Sequence, residues 1–359
     1  MEPPPAFPVS RLQQRDWRNG VLVRMPNWLG DAVMAFPALV QLKKIIPEHC
    51  GLFVVCPPGL VELFETMPLV DRVIGLHQAH RMWNRRDIRQ INRIQAGVGL
   101  MFNNSLRDAL GFRLARVPRL FGAAARGRSL LLTRSFHFPP RRDAHLNHLH
   151  HCEKYLSLIY ALGAPAWRGE VPAFHIAPEK LVAVEPDVRL ALDAPYLLTL
   201  AAGAAYGGSK RWPATHFNQV ARGWIAQGGN VAVLGSAGER TIGTEVLSDL
   251  PTEHAFNLAG KTSFSALLAL LQHAAFCVAN DSGIMHLSAA LGGSGLAVFG
   301  PTDPSATCPI SSRWSVVFEK QPCSPCFKRE CPDGDARCMT AIPASQVIQR
   351  MQRQLEDGF

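Results

Sequence analysis

The chain has 359 residues, 47% of them hydrophobic and 8% aromatic, a balance too apolar for a disordered protein and long enough to fill two cores. Basic residues number 37 against 28 acidic, and the formal charge of +9 points to an anionic partner without choosing among nucleotide, nucleic acid, phosphorylated lipid and acidic membrane face. No run of 18 or more apolar residues occurs, which excludes a membrane-spanning helix, and the opening MEPPPAFPVSRLQQRDWRNG lacks the apolar block of a signal peptide. The expected location is therefore the cytoplasm, where nine cysteines serve as thiols or metal ligands rather than disulfides.

Residues 1–19 read as a flexible extension. Val21-Leu22-Val23 is a short apolar strand that runs into Arg24-Met25-Pro26-Asn27-Trp28-Leu29-Gly30-Asp31, after which Ala32, Val33, Phe36, Leu39, Val40 and Leu42 recur at helical spacing. Gly30 permits a tight approach, and Asp31 stands over the carboxyl end of the strand, either as a helix N-cap or as a functional carboxylate. Pro37 predicts a kink or a late helix start. Strands follow at 52–56, 72–76, 98–102 and 119–121, alternating with helices near 59–66, 81–95 and 105–115, the rhythm of a parallel sheet covered on both faces. Within 81–95, Met82, Ile88, Ile91 and Ile94 separate from Arg81, Arg85, Arg86, Arg89 and Arg93, which form a solvated face or a landing surface for phosphates. Residues 122–143 show little periodicity and are expected to be loop. His145, His148 and His151 then share a helical face that suits a metal, but no carboxylate pattern supports one, and a helix ending at Gly163 is the simpler expectation.

Pro165, Pro172, Pro178, Pro186 and Pro195 mark 163–195 as the linker. The second half repeats the rhythm, with strands at 196–200, 230–234, 255–258, 276–279 and 295–299 and helices at 214–227, 239–249 and 263–273. FCVANDSGIMHLSAAL, 276–291, is a strand, a polar turn and a helix; Asp281 or Ser282 can cap that helix, and the free amides beyond Gly283 suit phosphate.

Two nucleotide signatures fail. Gly260-Lys261-Thr262 resembles the tail of a P-loop but has Ala255 where the first glycine belongs, and Gly293-Ser294-Gly295 precedes a strand instead of following one. The loop AAGAAYGGSKRWP, 201–213, fits a diphosphate better, with small residues exposing backbone amides and Lys210-Arg211 supplying cations. Cys323, Cys326, Cys331 and Cys338 form a compact set of thiols for a structural Zn or Fe, or for free or redox-linked thiols.

Taken in order, Asn27-Trp28-Leu29-Gly30-Asp31, the 201–213 loop, Gly235-Ser236-Ala237-Gly238-Glu239, Asn257-Leu258-Ala259-Gly260, Asn280-Asp281-Ser282-Gly283-x-x-His286 and Gly300-Pro301-Thr302-Asp303-Pro304 resemble the ADP-heptose:lipopolysaccharide heptosyltransferases of glycosyltransferase family 9, most of all the heptosyltransferase II type. The resemblance implies a GT-B fold, two doubly wound Rossmann-like domains facing a central cleft. Residues 20–175 would bind the acceptor, 176–343 the ADP-sugar donor and carry the Cys-rich loop 323–338, and the helix in 344–359 would pack back on the first domain. It also implies Asp31 as general base and Lys210 beside the diphosphate. Ala204 and Ala205 would line the donor loop, Glu239 would bind the ribose and Thr262 the adenine. Asp281 would hold the heptose hydroxyls, the Ser282 and Gly283 amides would receive phosphate, and His286 would neighbour them. Ala201-Ala202-Gly203 departs from the Pro-Gly opening often seen in the donor loop.

The implied activity is inverting transfer of heptose from ADP-heptose to the phosphorylated Kdo-lipid A or heptosyl inner core. No catalytic metal is needed, and the inner membrane face would be contacted peripherally. A relative using another acceptor or sugar is the runner-up. A metal-stapled nucleic-acid-binding protein would leave Asp31, Glu239 and Asp281 unexplained and lacks interleaved aromatics, so no nucleic-acid partner is expected.

Overall fold

The computed structural model describes residues 7, 9, 12–78, 81–138 and 149–357 and divides the chain into two units, Met1–His175 and Ile176–Phe359. His145 and His148 lie outside the described residues. Among the described residues of the first unit, six parallel strands, β1 (Gly20–Arg24), β2 (Gly51–Cys56), β3 (Arg72–Gly75), β4 (Val98–Met101), β5 (Arg119–Ala123) and β6 (Arg134–Phe136), stand in the order β3-β2-β1-β4-β5-β6. β1 pairs on both edges, Val21 opposite Leu52 and Val98, and is buried along its whole length, which is why it reads as an unbroken apolar run rather than an alternation. The order reverses between β1 and β4, so the connections leaving their carboxyl ends diverge and open a crevice there.

The helix after β1 comes in two pieces. Leu29–Met34 stops at Ala35, and Phe36–Lys43 starts with Pro37 in its first turn, where a missing N–H leaves no bond unmade.

Part of the stretch expected as loop is structured: a 3-10 turn spans Arg128–Leu131, and β6 pairs Arg134 with Phe121 and Phe136 with Ala123. A three-residue edge strand with two polar positions carries no readable period, and only the buried Phe136 ties it to the core.

In the second unit β7 (Leu197–Ala201), β8 (Asn230–Val233), β9 (Ala255–Asn257), β10 (Phe276–Asn280), β11 (Gly295–Phe299) and β12 (Trp314–Phe318) form a parallel sheet ordered β12-β11-β10-β7-β8-β9, with the reversal between β7 and β10. β12 was not expected from the sequence. It pairs with β11 from Trp314 opposite Gly295 to Phe318 opposite Phe299. The proline-rich linker also holds structure. Pro186 opens helix Pro186–Asp193, whose Val188 and Ala191 are buried and which packs on helix Phe264–His273 and β9.

The closing helix Ala344–Glu356 is part of the second unit. Its buried face, Val347 and Met351, belongs to the second unit's core with Trp212, Phe217 and Trp224, and it lies against helix Ala214–Ile225 and β11. Each such side chain stabilises by roughly 1.5–3 kcal/mol when buried, so an amphipathic helix goes where an apolar groove stands open, and here β11 and Ala214–Ile225 provide it.

Candidate active site

In the first unit the carboxyl ends of β1 and β4 are tied by a buried polar knot. Arg24, the last residue of β1, places Nε 2.8 Å from Asp108 Oδ2, donates from Nη1 to the Met25 carbonyl at 2.5 Å and from Nη2 to Asn27 Oδ1 at 2.7 Å. Asp108 also accepts from Trp83 Nε1 at 3.0 Å and from the Asn103 amide. A second buried guanidinium, Arg128, donates from Nε to the Ala123 carbonyl at 2.8 Å, from Nη1 to the Asn103 carbonyl and from Nη2 to Asn104 Oδ1 at 3.2 Å. Burial pushes Arg128 down to about 10, with Asp108 opposing the shift, and burial also lowers Arg24 against the pull of Asp108. Arg24 pairs with Asp108 directly, while Arg128 feels the same carboxylate only through its charge.

Asp31 stands in the first turn of helix Leu29–Met34, yet it is not the N-cap. That position is Trp28, and no side chain caps the helix. The Asp31 carboxylate is one-third exposed, and its Oδ1 lies 3.5 Å from Nδ1 of His151, the first residue of helix His151–Tyr160. Burial, with the charge of Asp31 adding to it, pushes the phenol of Tyr155 well up, so a neutral hydroxyl accompanies the carboxylate. A partly exposed carboxylate beside an imidazole can take a proton from an alcohol and be held in orientation while it does so. His151, expected only as part of a doubtful metal face, is instead the neighbour of Asp31. Its distance of 120 positions left no pattern in the sequence.

In the second unit the reversal point between β7 and β10 gathers most of the expected donor residues. Lys210 Nζ meets Asp281 Oδ2 at 2.5 Å, and the same oxygen accepts from Thr302 Oγ1 at 2.7 Å; all three side chains are largely buried. Asp281 therefore caps no helix. Ser282 occupies the N-cap of helix Gly283–Ala290 without a side-chain cap bond, and its buried hydroxyl has no hydrogen-bond partner among the described residues. His286 is buried one turn into that helix.

The 201–213 loop is pinned at both ends by one buried side chain that the sequence reading left without a role. Asn280 donates to the Ala202 carbonyl at 2.7 Å and accepts from the Trp212 amide at 3.0 Å. Ala204 is buried and Ala205 exposed on the loop between them. Glu239 accepts from the Ser236 amide at 2.7 Å and hydroxyl at 2.8 Å, and it leans over Gly203, where an added Cβ would lie 1.9 Å from Oε1. That close approach is what the glycine allows. Thr262, half-buried, follows Lys261, whose amine pairs with Asp187.

The Cys-rich segment braces the same loop. Tyr206 donates to the Phe327 carbonyl at 2.6 Å, Ser209 donates from its amide to the Arg329 carbonyl at 3.0 Å and from its hydroxyl to that of Lys328 at 2.5 Å, and the Gly208 amide reaches Glu330 Oε1 at 3.0 Å. A Cβ at Gly207 would strike the Arg329 carbonyl at 2.2 Å. Lys210 Nζ lies 4.9 Å from the Tyr206 ring centroid and the Arg329 guanidinium 5.4 Å, so two cations flank one aromatic ring. Burial pushes the Cys338 thiol up, and the charges of Cys323, Cys326 and Cys331 add to the shift. Among the described residues, however, no group of three or more His, Cys, Asp or Glu side chains is placed to hold a metal ion.

Two doubly wound units, one offering a carboxylate and the other a cation with open helix amides at the reversal point of its sheet, define a GT-B glycosyltransferase. The fold agrees with that of E. coli ADP-heptose lipopolysaccharide heptosyltransferase II, at a TM-score of 0.76 and 24% identity over 94% of this chain and 98% of that one. The chain belongs to glycosyltransferase family 9 (heptosyltransferase), whose model matches residues 85–336. It is 28% identical over 314 residues to lipooligosaccharide heptosyltransferase 2 of Haemophilus influenzae, covering 83% of this chain and 88% of the relative. It is 29% identical over 310 residues to lipopolysaccharide heptosyltransferase 2 of Salmonella typhimurium, covering 83% and 87%. Membership in an enzyme family does not favour the nucleic-acid-binding alternative.

Proposed function

We propose that the chain is an inverting heptosyltransferase that moves L-glycero-D-manno-heptose from ADP-heptose to the phosphorylated inner core of lipopolysaccharide. The observation that carries the reading is the pairing of Lys210 with Asp281 beside the unpartnered Ser282 hydroxyl, a cation and a helix N-terminus for a diphosphate next to a carboxylate for sugar hydroxyls. Asp31 accepts the proton of the acceptor hydroxyl as its oxygen bonds the anomeric carbon. The bond from that carbon to the phosphate oxygen breaks, ADP leaves with the electron pair, and the configuration inverts. Lys210 and the Ser282 and Gly283 amides stabilise the leaving charge, an effect on the order of 10²–10³ in rate for one well-placed donor. Glu239 takes the ribose and Thr262 the adenine, with Ala204 and Ala205 lining the loop and His286 beneath the phosphate amides.

The work takes place in the cytoplasm at the inner membrane face. A structural zinc or iron on Cys323, Cys326, Cys331 and Cys338 is a separate part of the proposal, resting on the four thiols alone and requiring them to close up on binding. Metal analysis of the purified chain tests it, and absence of both metals refutes it.

The transfer is tested by ADP release from ADP-heptose with a Kdo₂-lipid A acceptor, with and without one heptose attached, comparing the wild type with Asp31→Ala. Release that needs the heptosylated acceptor and falls about 10²–10⁴-fold in the variant supports heptosyltransferase II chemistry and the base together. An inactive wild type that still binds ADP refutes the acceptor assignment.

A further inference from the structure

Helix Leu106–Leu114 is apolar on both sides. Its inner side, Ala109 and Phe112, is buried in the core that the helices Arg85–Ile94 and Leu106–Leu114 share on one face of the first sheet. Its outer side carries Leu106, Leu110 and Leu114, one turn apart and 45%, 36% and 51% exposed, and the adjoining turn Arg128–Leu131 adds Leu130 at 96%. Single exposed leucines are ordinary, but a ridge of them along a helix that already has a buried face marks a surface built to be covered.

The charge around the ridge says by what. The neighbouring helix turns Arg85, Arg86, Arg89 and Arg93 outward, and Arg107 and Arg126 are exposed beside the leucines. The carboxylates of these segments, Asp87 and Asp108, are both buried, so every exposed charge on 81–95, 104–116 and 126–131 is positive. We infer that this face docks on a bilayer rich in anionic phospholipid, with the leucines at the boundary of headgroup and acyl chain and the arginines at the level of the phosphates. A second copy of the chain fits badly, because a two-fold interface through this face would set arginines against arginines. A nucleic acid would leave the leucines uncovered. The inference deepens the proposed function, on which it rests for the lipid nature of the acceptor, by naming the surface that brings the first unit to its membrane.

The test is flotation with vesicles of phosphatidylcholine alone or with about one third phosphatidylglycerol, which contain no acceptor and so read the surface independently of catalysis. Wild type floats with the anionic vesicles only. Each arginine contributes roughly fivefold to partitioning, so Arg85→Gln with Arg89→Gln and Arg93→Gln lowers it on the order of a hundredfold. Leu106→Ser with Leu110→Ser and Leu114→Ser also abolishes flotation. Both triple variants keep the wild-type melting temperature and transfer to a deacylated, soluble acceptor at the wild-type rate. Equal flotation of wild type on neutral vesicles, or flotation of either variant like wild type, overturns the inference. So does a wild-type dimer that the leucine variant makes monomeric without vesicle binding. Normal flotation by a chain that transfers to no acceptor leaves the docking surface standing and refutes the activity.

Discussion

Replacing Asp108 by leucine should damage this protein more than any surface change. Asp108 is 1% exposed and answers the Arg24 guanidinium, the Trp83 indole N–H and the Asn103 amide at once, so its loss leaves a fully buried cation with no counter-charge and two donors with no acceptor. Breaking a buried pair by removing one partner costs about 3–5 kcal/mol, whereas replacing both partners with apolar groups of similar volume is close to neutral. Hydrogen exchange at the amides of β1 and β4 reads the opening of this unit directly, and protection there should fall by about two to four orders of magnitude in Asp108→Leu. The double variant Arg24→Met with Asp108→Leu should recover all but about 1–3 kcal/mol, the residue being the stranded Trp83 and Asn103 donors. Because Arg24 also holds Asn27, four residues ahead of Asp31, ADP release should fall in the single variant even where it is folded. A single-variant loss below about 1 kcal/mol, or a double variant no better than the single, would refute the account of the knot.

Thr302→Val removes one hydrogen bond to Asp281 and should raise the KM for the donor about tenfold with little change in kcat, while Thr302→Ser restores it; steady-state kinetics with varied ADP-heptose decides. Gly203→Ala pushes Glu239 aside through a side chain that can swing, so donor affinity should drop by calorimetry while the melting temperature moves by no more than about 2–4 °C. Glu170 is lowered from 4.5 to about 2, chiefly by the Lys44 ammonium 2.6 Å away and then by the Arg168 amide. Its folded value lies below the unfolded one, so its contribution is complete above pH 4.5 and is lost as pH falls towards 2. Urea titrations across that window should show a shallower loss of stability in Glu170→Gln than in wild type, and parallel curves would contradict the assignment.

The alternation of apolar strands with amphipathic helices was enough to read two doubly wound halves, because burial on both faces of a parallel sheet leaves its mark on each strand separately. The place of Asp281 at a strand end was legible for the same reason, since it directly follows β10, whereas Asp31 lies seven residues past β1 and Lys210 nine past β7. Short pieces were not legible. β6 and Pro186–Asp193 are too brief or too interrupted by polar residues and proline to carry a period, and their neighbours in the sheet and core decide them.

Nor could the sequence say which arginines are buried. Arg24 and Arg128 look no different from Arg85 or Arg93 until β1, β4 and β5 bring their carbonyls and Asp108 together. Lys210 reaches Asp281 across 71 residues, Thr302 reaches it across 21, and His151 stands beside Asp31 from the far end of the first unit. Such pairs depend on strand order and on the path of each crossover. A local pattern fixes which way a side chain faces within its element, and only the packed sheet fixes what it faces.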